Sequence, residues 1–387
     1  MTMIIGVLVV ACGITDAVLN ETVVEQALVD AGNISRLQHV MIKAQQGKPI
    51  KVGVIGGSIT QGALASAQDK CWGALTAAWW QKSFPDSKVT FVNAGIGATC
   101  SDLAAHRVKQ HLLDKSPDVV IVEFAVNDGI NPLTEETLEG LVRQILNAPQ
   151  QPAVMLFFTM DKGGNYRKEE HERIGRHYAL PMISMKNVLW PMMQAGEIAW
   201  TDFEADEVHP NDLGHSYCSQ MLTGFMEGVR VALPQEKDLP AIPPMPQPLI
   251  SDIFEHTRIY NAGSLSPVLN ENWEAGTDDV MFGIGWKTNV PGSALKFIVE
   301  GDAVSVLFWR IKGPMGRAEA WVDDREPVTL DGWFDAEWGG YTVFQLVGRD
   351  LGSGKHTLHI RLLDQANPGS AGHEFQLRAV MSAGLDK

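Results

Sequence analysis

Hydrophobic positions follow two regimes along this chain. Between residues 33 and 232, short uniformly apolar runs alternate with stretches whose apolar residues recur every third or fourth position. The pattern predicts strands at 51–55, 89–93, 119–124, 154–159 and 182–184, and helices at 36–46, 72–83, 102–113, 171–178 and 211–231. Uniformly apolar strands separated by helices imply a parallel sheet covered on both faces, with any ligand beyond the carboxyl ends of the strands. Past residue 250 the runs are short and alternating, at 294–299, 303–309, 318–322, 341–347 and 356–362, divided by Gly, Pro and Asp. That rhythm predicts an antiparallel β-sandwich.

Between the regimes, Pro234, Pro240, Pro243, Pro244, Pro246 and Pro248 crowd a stretch that forms neither helix nor sheet and runs extended. A chain of 387 residues is long enough for two cores. The expected division is an N-terminal segment over 1–32 that packs on a domain, an α/β domain over 33–232, a linker over 233–250 and a sandwich over 251–387.

Four segments at strand ends carry candidate chemistry: Gly56-Gly57-Ser58-Ile59-Thr60, Asn93-Ala94-Gly95-Ile96-Gly97, Val126-Asn127-Asp128 and Asp206-Glu207-Val208-His209-Pro210-Asn211. A serine hydroxyl becomes a competent nucleophile when an imidazole takes its proton and a carboxylate fixes the imidazole's tautomer, which are roles for Ser58, His209 and Asp206. Negative charge on a tetrahedral intermediate needs preplaced donors, for which the Ser58 backbone, the Gly97 turn and Asn127 are candidates. Taken singly, each segment has a plainer reading. Gly-Gly-Ser makes turns, Asp-x-x-His makes solvated pairs or helix caps, Asn127 is able to cap a helix near Leu133, and Gly95 and Gly97 are able simply to turn the chain. Their occurrence together at successive strand ends favours one shared site.

As an ordered set, these blocks resemble the SGNH group of GDSL-type hydrolases over roughly residues 33 to 230. The usual Gly-Asp-Ser is Gly-Gly-Ser here, and the second block is one residue tighter than its commonest form, which leaves the backbone donor open between Gly97 and Ala98. The resemblance implies a three-layer flavodoxin-like fold and an acyl-Ser58 intermediate hydrolysed with His209 as base. The wider pattern, including Gly32-Asn33-Ile34-Ser35-Arg36-Leu37 and the second domain, looks like a bacterial branch of carbohydrate acetylesterases that includes enzymes acting on β-mannan oligosaccharides, and the jelly-roll-like sandwich over 251–387 is similar in layout to the carbohydrate-binding modules appended to esterases. An esterase removing O-acetyl groups from carbohydrate is therefore expected. The alternatives are a general short-chain esterase or thioesterase and, from another class, a sugar-binding protein on a hydrolase scaffold.

Charge and composition narrow the partners. Acids outnumber bases by 46 to 31, giving a net charge of −15, so nucleic acid and acidic membranes are not expected as partners. Without a long apolar lid or interfacial helix, a lipase working at a lipid surface is not expected either. Cys12, Cys71, Cys100 and Cys218 form no Cys-x-x-Cys pattern, and His106, His111, His171, His177 and His215 form no metal-type spacing, so neither metal nor cofactor is expected. His171, in Glu169-Glu170-His171-Glu172, is expected on a solvated helix face, with a place at the rim of the pocket as the alternative. The apolar run 3–12 ends in Val9-Val10-Ala11-Cys12, a lipoprotein-like pattern, but no Lys or Arg precedes it. Cytoplasmic residence is expected over export through Cys12. The sandwich holds six of eleven tryptophans. Trp333, Trp338 and Tyr341, among Asp331, Asp335 and Glu337, are candidates for stacking on a sugar ring, for plugging the end of the sandwich core, or for walling the active site. The oligomeric state stays open.

Overall fold

The computed structural model describes residues 18–129, 132–276 and 281–385. Its α/β part runs α1 (Glu21–Glu25), β1 (Leu28–Asp30), α2 (Ser35–Gln45), β2 (Ile50–Gly56), α3 (Ser58–Gln61), α4 (Trp72–Ser83), β3 (Val89–Gly95) and α5 (Ser101–His111). It continues through β4 (Val119–Glu123), α6 (Pro132–Leu146), β5 (Ala153–Phe158), α7 (Lys168–His177), β6 (Met182–Ser184), α8 (Lys186–Gln194), α9 (Trp200–Phe203) and α10 (Asp212–Val231).

These strands form a sheet in the order β1-β6-β5-β4-β2-β3. From β2 to β6 all pairs are parallel, and counted from β2 the order is the flavodoxin-like 2-1-3-4-5. Alternate residues feed the two faces. Val52, Val54, Ile121, Met155 and Phe157 meet α2, α4 and α10, while Ile55, Val120, Val122, Leu156 and Phe158 meet α5, α6 and α7. Burial on both faces is why these strands read as unbroken apolar runs. Upstream, β1 adds an antiparallel edge to β6 and α1 packs its Val24 against Gly224 of α10. Residues 1–17, with Cys12, lie outside the described residues. Among the described residues no helix is long and apolar enough to cross a membrane.

The proline-rich stretch is pinned to the α/β layer rather than spanning free space. His39 Nε2 meets the Pro240 carbonyl, His177 Nε2 meets that of Gln247, and Arg143 donates to that of Pro246. The Glu139 carboxylate then accepts from the backbone N–H groups of Leu249, Ile250 and Ser251.

Beyond it come β7 (Thr257–Tyr260), β8 (Leu269–Glu271), β9 (Glu274–Ala275), β10 (Trp286–Thr288), β11 (Ala294–Glu300) and β12 (Ala303–Arg310). β13 (Arg317–Val322), β14 (Val328–Asp331), β15 (Tyr341–Gly348), β16 (Lys355–Leu362) and β17 (Phe375–Ala383) complete the chain. One sheet is β15-β12-β17-β10-β9 with β7 beside β17, the other is β14-β13-β16-β11-β8, and all pairs are antiparallel. Val306, Phe308, Leu377 and Val380 face Phe297, Ala320, Leu358 and Ile360 in the sandwich core. The opposite face of the first sheet presents Leu307, Ala379 and Met381 to Ile96 and Leu103 of the α/β domain. That sheet is thus covered twice, and β17 is buried along its whole length.

Buried charge fastens the junction. Arg143 donates from Nε to Glu255 at 2.7 Å and from Nη1 to the Tyr178 hydroxyl at 3.1 Å, and the side chains of Arg143 and Glu255 are 8% and 6% exposed. Arg143→Ala leaves the Glu255 carboxylate buried without its cation. It is expected to cost about 3–5 kcal/mol, read as a lower urea midpoint.

Candidate active site

The nucleophile candidate sits where β2 gives way to α3 in a turn with no room for side chains. A Cβ on Gly56 would lie 2.0 Å from Thr60 Oγ1 and 2.4 Å from the Glu123 carbonyl oxygen, and one on Gly57 would lie 2.3 Å from Asn127 Oδ1. The second contact gives a physical reason for glycine at the middle of Gly-Gly-Ser. Beneath the turn, Thr60 Oγ1 and Thr159 Oγ1 donate to the two oxygens of Glu123 at 2.7 and 2.8 Å. Burial pushes the Glu123 carboxyl up, against the pull of the two hydroxyls. Arg107, also buried, donates to the carbonyls of Ala94 and Gly56 at 2.6 and 3.2 Å, tying together the ends of β3 and β2.

The imidazole and carboxylate arrive on a loop closed by the backbone pairing of Glu204 with Pro210 and by Ala205 N–H to the His209 carbonyl at 2.8 Å. Asp206 Oδ1 accepts from the backbone N–H groups of Val208 and His209 at 2.8 and 2.7 Å, and Oδ2 meets His209 Nδ1 at 2.7 Å. His209 Nε2 lies 2.8 Å from Ser58 Oγ. Trp200 Nε1 donates to the Asp206 carbonyl at 2.6 Å, while Asn211 caps α10 through the N–H groups of Leu213 and Gly214. Burial pushes the Asp206 carboxyl up, but its bonds to the His209 ring and to two backbone N–H groups outweigh burial and hold it below the ordinary range. Neighbouring Glu204 is 4% exposed with no hydrogen-bond partner for either carboxyl oxygen among the described residues. Burial, reinforced by the charge on Asp206, pushes it up to about 9.

Around Ser58 stand the donor candidates. Asn127 packs its amide against Gly57, and no hydrogen bond engages that amide among the described residues. The Ser58 N–H is likewise uncommitted. Gly97 N–H, by contrast, donates to Gln61 Oε1 at 2.9 Å, and Ala98 turns the chain at φ +54°. Asp128 positions this rim, since it accepts from Ser101 N–H at the start of α5 and from His171 Nε2 at 2.9 Å. His171 corrects the sequence reading. It is 4% exposed, facing Asp128 and Phe158 rather than solvent, because α7 turns its Glu169 side outward and this ring inward.

Residues 54–217 match the family model of the GDSL-like lipase/acylhydrolase family. The chain is also 32% identical to a two-domain esterase (CEX) active on acetylated mannans, solved with mannopentaose, with 94% of this chain and 98% of that chain covered at a TM-score of 0.86. This chain belongs to the GDSL-like lipase/acylhydrolase family. It is a carboxylic ester hydrolase of SGNH type. A second structure of the acetyl-mannan esterase gives 31% identity and a TM-score of 0.87 over 94% of this chain and 99% of that one. Thioesterase 1/protease 1/lysophospholipase L1 of Escherichia coli (strain K12) is 27% identical over 163 residues, 41% of this chain and 74% of that protein.

In this hydrolase the sandwich candidates Trp333, Trp338 and Tyr341 make no hydrogen bond or ring contact with Ser58 or His209 among the described residues. Trp338 is 64% exposed and tilts against Phe334 and Tyr341 at centroid distances of 5.2 and 5.3 Å, so it does not plug the core. Trp333 packs under Gly369, and Lys312 holds Asp335 and Glu337 beside the cluster. His106 sits between Phe254 and Phe344, His111 meets Phe282 and the Met281 carbonyl, and His215 meets the Ala63 carbonyl. Among the described residues no three His, Cys, Asp or Glu gather as metal ligands, and Cys71, Cys100 and Cys218 are free thiols. Sequence reasoning missed Glu123, Arg107 and Gln61. Only Glu123 carried a signal, as an acid ending an otherwise apolar strand.

Proposed function

We propose that this hydrolase removes O-acetyl groups from carbohydrate, of the acetylated-mannan type, through an acetyl-Ser58 intermediate. The observation that carries the reading is the continuous path from Asp206 Oδ2 through His209 to Ser58 Oγ, with links of 2.7 and 2.8 Å, ending beside uncommitted donors. His209 Nε2 takes the Ser58 proton as Oγ bonds to the acetyl carbon, and the carbonyl electron pair moves onto oxygen. Ser58 N–H, Asn127 Nδ2 and Gly97 N–H receive that oxyanion. As the tetrahedral species collapses, His209 returns the proton to the departing sugar oxygen. Water, deprotonated by the same ring, then attacks the acetyl-enzyme and releases acetate.

The substrate class is supported by the end-to-end likeness to an esterase of acetylated mannans, and the acidic balance of the chain suits a neutral sugar. The exposed Trp338, tilted against half-buried Phe334 and Tyr341, offers an aromatic face for a sugar ring. The Escherichia coli relative supports a second reading, turnover of acyl thioesters. Purified enzyme is expected to strip acetyl groups from acetylated manno-oligosaccharides, read as successive mass losses of one acetyl, with kcat/KM well above that for an acyl thioester. A preference for the thioester would replace the carbohydrate reading with the second one.

A further inference from the structure

We propose that the side-chain carbonyl of Gln61 is the resting occupant of the oxyanion site, a stand-in for the acyl oxygen that an incoming ester has to displace. The inference rests on Gly97 N–H being one of the oxyanion donors, as read above. An acceptor that takes a hydrogen bond along that N–H occupies the place where the reacting oxygen belongs, and Gln61 Oε1 is there at 2.9 Å. A Cβ built on Gly97 would lie 2.9 Å from Gln61 Oε1 and 3.7 Å from Ser58 Cβ, so amide oxygen and nucleophile border one spot. The other two donors, Ser58 N–H and Asn127 Nδ2, carry no acceptor among the described residues.

Only the side chain has to move. Gln61 N–H bonds the Gly57 carbonyl at 2.9 Å and Asn93 Nδ2 bonds the Thr60 carbonyl at 2.9 Å, so the backbone is fixed, whereas the residue is exposed and its amide carries no other hydrogen bond among the described residues. A neutral amide oxygen is displaced at small cost by a developing oxyanion, whose charge-assisted bonds are roughly twice as strong. It competes on nearly equal terms with the ground-state ester carbonyl. The effect is a tax on apparent affinity, equal to the fraction of molecules with the site open.

Inhibition by a small alkylboronic acid tests this, since its boron bonds Ser58 Oγ and places a hydroxyl in the oxyanion site. Gln61→Ala and Gln61→Leu, which lacks the acceptor but keeps bulk, are expected to lower the inhibition constant about two- to tenfold and to raise kcat/KM for an aryl acetate in parallel. Gln61→Glu, a stronger acceptor for the same N–H, is expected to raise the constant at neutral pH. If Gln61 is instead a strut that orients the Ala98 turn, the constant stays the same or rises in both the Ala and Leu variants, and the proposal is overturned. Asn127→Ala in the same assay separates the two levels. An unchanged constant there sinks the oxyanion reading itself, whereas a weakened one with unresponsive Gln61 variants sinks only the present inference. Two substitutions at an exposed side chain keep the test open if either variant folds poorly.

Discussion

Replacing Ser58 with alanine is expected to lower kcat for an aryl acetate by roughly five to six orders of magnitude, with thermal stability nearly unchanged. The size follows from what the hydroxyl does. Without Oγ there is no atom for the acetyl group to bond, and His209 has no proton to take at 2.8 Å. What survives is transition-state stabilisation by the donors and binding alone, about three orders of magnitude above water. Stability is spared because Ser58 Oγ bonds no backbone group among the described residues: the turn is held by Thr60 on Glu123 and by Gln61 N–H on the Gly57 carbonyl. The check pairs steady-state kinetics with labelling by an organophosphonate, which should mark the natural chain at Ser58 and leave the variant unmarked. A variant that keeps more than a hundredth of the activity while folded would transfer the nucleophile's role to another residue.

Much of this site is legible in the sequence because its chemistry is tied to strand ends. Ser58, Gly97 and Asn127 follow β2, β3 and β4, which read as strands from their β-branched and apolar residues, and the order of the sheet then brings the three loops to one rim. The helix over residues 72–83 is equally plain, since Trp72, Thr76, Ala77 and Trp80 recur at the spacing of its buried face. Illegible elements share a physical cause. α8 carries Pro191 in its interior, which reads as a break, and β7 to β10 are too short to show a period. β17 is covered on both faces, so Phe375–Ala383 lacks the alternation that marks β11 or β13.

The second domain's relation to the site was the least legible feature, because it depends on a surface that no local pattern announces. Ile96, one residue before Gly97, is buried with Phe282, Leu307, Ala379 and Met381. The loop that presents a candidate oxyanion donor is thus backed by the sandwich, and the pinned linker and the Arg143–Glu255 pair hold that backing in place. Of the roles that the sequence leaves open for the sandwich, backing the loops near the site is the one that these contacts favour. The same dependence on tertiary partners hid His171, whose period placed it on an acidic helix face but whose ring is drawn inward by Asp128.

Asp206→Asn is expected to lower kcat by about four orders of magnitude, although it changes one atom type and keeps the shape. The carboxylate accepts the Nδ1 proton of His209 at 2.7 Å, so Nε2 is left free to accept from Ser58. An asparagine held by the backbone N–H groups of Val208 and His209 through its oxygen turns its NH2 toward the ring. Nδ1 then becomes the acceptor, the proton moves to Nε2, and the base is lost. Stability changes with pH in a definable direction. The depressed Asp206 carboxyl stabilises the fold above its unfolded value, and that contribution vanishes as pH falls through the lower folded value. The asparagine variant therefore lacks one component of acid unfolding seen in the natural chain, read by melting temperature across acidic pH. Glu207→Gln is the matched control, since Glu207 is exposed and its carboxylate pairs with Lys162, away from the His209 ring, and it is expected to retain kcat within about twofold. Should both substitutions cost the same, the carboxylate beside His209 would be contributing general charge rather than fixing the tautomer.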